Sequence, residues 1–485
     1  MPMTKARRGK TQLTTNEIDG RLARRLWAIA AVMVTAILLV NPAIAWAHAR
    51  LTKSFPAANT VVTESPSAIR LWFSETPELS LTRITLTDSS GVVTDVGAPV
   101  QDVDGKLSVR IPISVTLHGG LYTVAWKTAA TDGHPSSGKF SFRMNEQTAT
   151  PAPTISSIPH SVPDVTVLDS TVIVIAPAAI VARTVSYAAL IALIGAICFC
   201  LLVLPRVLGM DAALMRDIES RVVSKALIAV GVYLAAAAAR YYVQNRMMMD
   251  QGVTAAAMSA TRWTAMWQLQ LGAGIAAGIG LVLVRRRIAG GWLIAAAACV
   301  LLAVATSLSG HAGAADRFYI LGVGDDAFHI VAASGWLGSL LWLAFAGLPL
   351  VHMSGEGRGV RVAALVNAFS PVALTCSALV VTSGVVSATL RLGSFSAIWV
   401  SPYGQMLWRK LIFVLAVIIV GAWNWRKARP ALGTDDASAR FRRSARVELA
   451  FALIVIAATA LLVAMPTPDA APGGGAVGAI IRFHS

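Results

Sequence analysis

In the stretch "AIAWAHARL", His48 stands one place beyond the small-x-small triplet Ala45-Trp46-Ala47. Arg21, Arg24 and Arg25, the apolar run from Leu26 to Val40, and Pro42 come before it. These are the three regions of a secretory signal peptide, with cleavage expected after Ala47. Cleavage makes His48 the first residue of the mature chain, where its free α-amine and its imidazole can close a chelate on one metal ion. Copper(II) favours a tetragonal set of nitrogen and oxygen donors and binds it more tightly than other divalent first-row ions do. The segment "TDGHPSSG", from Thr131 to Gly138, supplies the remaining donors. Asp132 and His134 are two apart, and in extended chain such residues point the same way. The α-amine, His48, Asp132 and His134 then make an N₃O site.

The elements that must hold these groups follow from the rest of the sequence. Of 485 residues, 55% are hydrophobic and 14% charged, too apolar for soluble domains alone, so most of the chain is expected in lipid. Between the leader and that apolar part, Ile69, Leu71 and Phe73 alternate with polar neighbours. So do Ile84 and Leu86, then Leu107, Val109 and Ile111, then Tyr122, Val124 and Trp126, then Phe140 and Phe142. Period-2 runs separated by "DSSG", "DVDG" and "LHGG" predict a small all-β sandwich or barrel of cupredoxin or immunoglobulin-like type.

The expected organisation is a signal peptide over 1–47, a β domain over 48–144, a flexible tether rich in proline and hydroxyl residues over 145–177, a membrane domain over 178–465 and a flexible tail over 466–485. Within the membrane domain, stretches near 178–204, 221–241, 265–284, 291–309, 327–351, 363–389, 404–424 and 447–465 are long enough to span hydrocarbon, giving an all-α polytopic bundle of about eight helices. Taken alone the net charge of +16 suggests nucleic acid, but the arginines gather in alternate loops, at Arg285–Arg287, at Arg358 and Arg361, and from Arg426 to Arg446. That is the positive-inside pattern of a multi-pass protein of the cytoplasmic membrane, with the β domain on the periplasmic or extracellular side. No nucleic-acid role is expected.

The pieces "HARLTKSFPAANTVV", "IRLWFSE" and "GGLYTVAWKTAATDGHPSSGKFSF" resemble the CopC copper-binding family across nearly the whole exported domain. The resemblance implies copper(II) bound by His48, Asp132 and His134, with Glu75 of "FSE" hydrogen-bonding near the terminal amine. Some members of that family also carry a methionine-rich copper(I) loop, whereas this domain has only Met144. "SGHA" at 309–312, "DDAFHIVAASGWLGSLLW" from Asp325, "YGQMLWRKL" from Tyr403 and the span pattern resemble the CopD family. The order of the two parts is similar to the fused copper proteins of the YcnJ type.

In the membrane half, His311 is expected to end span four and His329 to begin span five. Asp326, three residues before His329, shares its helical face, and the three could receive a metal ion. Met247, Met248 and Met249 are expected on an outer loop, as soft ligands for copper(I). His352 and Met353 stand near the inner end of span five, and Lys410 and Glu448 are candidates for a buried pair. Cys198, Cys200, Cys299 and Cys376 all lie in apolar stretches and read as small buried residues.

The sequence thus points to copper binding at the outer face and copper transport across the membrane, contributing to homeostasis or resistance, with import implied by the resemblance. The partners are the copper ion, the bilayer and a protein that delivers or receives copper. Lacking a "GxxxxGK[ST]" motif, transport would use a gradient or a partner. Two alternatives compete with this non-enzymatic reading. One is a histidine-brace copper oxidase, which needs an open position that Asp132 would fill. The other is a haem-bearing membrane cytochrome, which needs axial ligands within the spans.

Overall fold

The computed structural model describes residues 51–130, 135–145, 177–250, 252–310, 319–392 and 394–465. The leader, the tail and nearly all of the expected tether lie outside these residues.

The alternating segments form strands, in chain order β1 (Leu51–Phe55), β2 (Val61–Val62), β3 (Ala68–Phe73), β4 (Arg83–Asp88), β5 (Val93–Thr94), β6 (Val100–Gln101), β7 (Ser108–Pro112), β8 (Gly120–Ala129) and β9 (Pro135–Met144). They make two sheets, ordered β1-β3-β7-β6 and β2-β9-β8-β4-β5. All pairs are antiparallel except β2 with β9. Period-2 alternation aims Ile69, Leu71, Phe73, Val109 and Ile111 of the first sheet at Leu86, Val124, Trp126, Phe140 and Phe142 of the second, and all are buried. Leu107, read as part of this pattern, precedes β7 and is exposed. Phe73 meets Trp126 edge-on, with ring centroids 5.3 Å apart. On β3, Arg70 grips Asp102 through Nε at 2.6 Å and Nη2 at 2.8 Å, and reaches Asp104 at 3.0 Å. The guanidinium, helped by the Val103 amide, holds the buried Asp102 carboxyl below the usual carboxylate range.

Eight helices among the described residues are long and apolar enough to span a membrane. They are α1 (Pro177–Arg206), α2 (Ala212–Met249), α3 (Arg262–Arg285), α4 (Gly291–Leu308), α5 (Tyr319–Met353), α6 (Arg358–Leu392), α7 (Pro402–Ala428) and α8 (Ala437–Leu462). The most buried, α1 and α5, run through the middle. There a Cβ on Gly195 would stand 2.3 Å from the Cα of Gly338, so the two backbones meet with nothing between them. The Trp342 indole donates to the Ala192 carbonyl at 2.7 Å across the same seam. Wide π turns interrupt both helices, at Phe199–Val203 in α1 and at Ser334–Gly338 and Leu343–Gly347 in α5.

Helices α2 and α5 outrun the spans expected for them. The hydropathy signal measures only the lipid-matched part, while the helical backbone continues beyond it. Met247–Met249 is therefore the last turn of α2 and not an outer loop. At about 100° per residue, three consecutive side chains point to three sides, and only Met248 is fully buried. It packs with Met258 and Trp263 of the membrane half against Leu81 and Ala129 of the β domain. This cluster joins the two halves, so packing accounts for Met248, and the three thioethers do not converge on one point.

The Gly195–Gly338 contact leaves no room for a methyl group. Gly195→Ala or Gly338→Ala should cost about 1–3 kcal/mol and lower the thermal unfolding midpoint in detergent. Gly231→Ala, on an open face of α2 with nothing within 4 Å of the new Cβ, should be neutral or slightly stabilising. For Asp102, whose folded pKa is depressed, the Arg70 contribution is complete above about pH 4 and disappears as pH falls through the lowered value. The difference in unfolding midpoint between the intact chain and Asp102→Asn should accordingly be largest near neutrality and shrink below about pH 4.

Candidate metal centre

His48, Asp132 and His134 lie outside the described residues, but the frame around them is defined. β1 begins at Leu51, which pairs with Phe73, the last residue of β3. Two residues on, Glu75 is buried at 8% exposure. The chain from Glu75 then crosses to the other sheet. Pro77 bridges Ala130, and the Glu78 amide donates to the Ala129 carbonyl at 2.8 Å. Ala129 in turn pairs with Pro135 at the mouth of the β8–β9 hairpin. The start of β1, the Glu75 segment and both stems of that hairpin therefore share one end of the sandwich. Beneath them the Thr82 and Thr128 hydroxyls bond at 2.7 Å, and Ala129 itself belongs to the cluster that packs on Met248 and Trp263.

In the bundle, α5, α6 and α7 enclose a polar network in an otherwise apolar layer. Asp325, Asp326 and His329 come from α5, Ser383, Ser387 and Arg391 from α6, and Tyr403 and Lys410 from α7. Arg391 bonds both carboxylate oxygens of Asp326 and donates to the Tyr403 hydroxyl. Ser387 donates to Asp325 at 2.6 Å and reaches Asp326 at 3.3 Å. His329 Nδ1 lies 2.8 Å from Ser383 Oγ, whose own hydrogen is directed at the Leu379 carbonyl, 2.7 Å away. Ser383 therefore accepts from Nδ1–H, and the tautomer assigned on this geometry leaves Nε2 unprotonated, the form in which imidazole binds a metal.

This arrangement revises the expected trio. His311 lies outside the described residues. His329 does not begin its helix but sits three turns inside α5, and Asp326 is engaged by Arg391 rather than paired with the imidazole. Among the described residues, no three His, Cys, Asp or Glu side chains are grouped to hold a metal ion. Lys410 and Glu448 do not pair. Lys410 stays in range of Asp326, Arg391 and His329, while Glu448 on α8 is buried and bonded by Asn424 Nδ2 at 3.0 Å and by the Trp336 side chain. His352 and Met353 form the last turn of α5. The partners missed in the sequence, Ser383, Ser387 and Arg391, are spaced four apart in "TSGVVSATLRL", a polar stripe on one face of a span that marks a buried network.

Residues 51–145 match the CopC domain family, residues 174–317 the N-terminal domain of copper resistance protein D-like proteins, and residues 363–462 copper resistance protein D. The chain is 22% identical over 451 residues to the copper transport protein CutJ of Bacillus subtilis, covering 90% of this chain and 77% of that one. It is 36% identical over 123 residues to protein YobA of Escherichia coli, covering 25% of this chain and 96% of YobA. Among solved structures, CopC from Methylosinus trichosporium OB3b is 24% identical with a TM-score of 0.20, covering 21% of this chain and all 100% of its own.

Breaking the Asp326–Arg391 pair from one side strands a charge in the bundle. Arg391→Gln should destabilise the folded protein by about 3–5 kcal/mol, read as a lower unfolding midpoint and yield in detergent. Adding Asp326→Asn should recover most of that loss, because a neutral pair replaces the orphaned carboxylate.

Proposed function

The chain belongs to the CopC–CopD family of copper resistance and transport proteins, and from that premise we propose that it captures copper(II) outside the membrane and passes copper inward. The capture site is the α-amine and imidazole of His48, freed by cleavage after Ala47, together with the Asp132 carboxylate and the His134 imidazole. Glu75, buried beside the β8 end, hydrogen-bonds the amine and fixes its direction. Histidine and carboxylate donors suit the cupric ion.

The observation that carries this reading is the gathering of β1, the Glu75 segment and the β8–β9 hairpin at one end of the sandwich, the end that also packs on the membrane helices. A metal held there stands at the mouth of the bundle. The receiving groups are His329, presenting Nε2 from α5, and His311, the residue after Gly310 beyond the end of α4. Asp326 acts with Arg391 to keep the α5–α6 seam in register. The arginine-rich ends of α3, α5–α6 and α7–α8 face the cytoplasm, and the β domain faces outward.

Two measurements test this. The full chain loaded with one equivalent of copper(II) should give an electron spin resonance spectrum with nitrogen hyperfine structure, and His48→Ala or His134→Ala should abolish it. In cells, copper accumulation that depends on the intact chain should fall to the level of cells lacking it when His329→Ala is introduced. A mature protein that retains residues 1–47, or accumulation unchanged in both the His48 and the His329 variants, would overturn the proposal.

A further inference from the structure

Two cysteines from helices distant in the chain meet at one glycine. A Cβ built on Gly335 would stand 2.7 Å from Cys376 Sγ and 3.9 Å from Cys198 Sγ. The thiols of α1 and α6 therefore converge on Gly335 of α5, a position with no side chain to part them. Local features bring them there. The Gly195–Gly338 contact lies one turn from both Cys198 and Gly335, the π turn Ser334–Gly338 carries Gly335, and the π turn Phe199–Val203 starts directly after Cys198. Such turns frequently occur at functional sites. Both cysteines are free thiols.

Their level in the bundle is also informative. His329 precedes Gly335 by six residues on α5, and Ser383 follows Cys376 by seven on α6, which places the thiols about 9–10 Å along the seam from the imidazole. On the other side, Trp336, next to Gly335, and Ser377, next to Cys376, line a cavity of about 460 Å³ that reaches Glu448, Arg426 and Arg429. By level along the helices, the thiol pair lies between the His329 network and this cavity, which extends toward the arginine-rich end and is lined by the neighbours of Gly335 and Cys376 rather than by the sulfurs themselves.

We propose that Cys198 and Cys376 form a mid-membrane site for a cuprous ion in transit between His329 and the Glu448 cavity. This rests on the copper-transport reading. Thiolates are soft ligands that select copper(I), and a monovalent d¹⁰ ion is satisfied by two sulfurs in line, whereas divalent ions need more donors than the site holds. Each sulfur gives one electron pair to the ion, and one thiol proton leaves to water. The complex of one thiolate, one thiol and Cu⁺ is then neutral, which hydrocarbon tolerates. No electron is transferred at the thiols: the captured cupric ion takes up one electron outside the membrane from an external small-molecule thiol reductant, which is oxidised to its disulfide, and the ion enters and leaves this site as copper(I).

The test uses the full chain in detergent under reducing conditions. Titration with copper(I) against a chromogenic chelator should show one fewer tightly held ion in Cys198→Ser and in Cys376→Ser than in the intact chain, and no change in Cys200→Ser. Cys376→Ala, which keeps apolar packing, serves as a second variant if serine impairs folding. Dibromobimane, fluorescent only when it bridges two thiols, should label the intact chain and Cys200→Ser but neither Cys198→Ser nor Cys376→Ser. In cells, chain-dependent copper accumulation should be lost in Cys198→Ser and Cys376→Ser. Equal copper(I) stoichiometry in all variants overturns the thiol site, as does accumulation that stays chain-dependent and undiminished without the thiols, the transport reading standing in that last case. An intact chain that produces no accumulation overturns the transport reading instead, and the titration alone then decides whether the thiols bind.

Discussion

The contact of α1 with α5, where Gly195 and Gly338 touch backbone to backbone, sets the geometry of the bundle. Lipid tails are as apolar as leucine, so helices in a membrane gain little from hiding greasy side chains and much from close van der Waals approach, which small residues permit. With α5 drawn against α1, its one face presents His329 to Ser383 and its next turns present Gly335 to the thiols and Trp336 to Glu448. A helix held a few ångströms further out would leave each of these polar groups in hydrocarbon without a partner. Close packing and polar satisfaction are therefore one constraint here, not two.

The β domain illustrates what local pattern can specify. Alternation at Ile69, Leu71 and Phe73, and again at Tyr122, Val124 and Trp126, is a direct image of side chains pointing to two faces, and both runs are strands with those residues inside. Leu107 kept the period but fell before the strand began. The eight spans were equally legible, since length and hydropathy state what a bilayer requires. Helix ends are less so, because a helix does not stop where the hydrocarbon does: Met247–Met249 is the last turn of α2, and α5 begins at Tyr319, well before His329. The proposed cupric donors His48, Asp132 and His134 are the reverse case, read from the sequence and lying outside the described residues.

Pairings between distant segments were invisible for a different reason. Nothing near Asp326 in the chain announces Arg391, and nothing near Cys198 announces Cys376, because their meeting depends on how α1, α5, α6 and α7 assemble. What the sequence did carry was half of each pair. Acids three and four residues from His329, and serines spaced by four before Arg391, are stripes that each demand a partner without naming it.

The cluster of Leu81 and Ala129 with Met248, Met258 and Trp263 has a kinetic meaning. Two separate proteins exchanging an ion must find one another, and their rate falls with dilution. In the proposed function the donor and acceptor halves are one molecule, already in contact, so exchange would be a first-order event. Two modules joined in one chain by a short flexible linker already reach an effective molarity on the order of millimolar, and modules in contact need no such linker to meet. Transfer between the halves, as proposed, would then be indifferent to how many copies the cell makes.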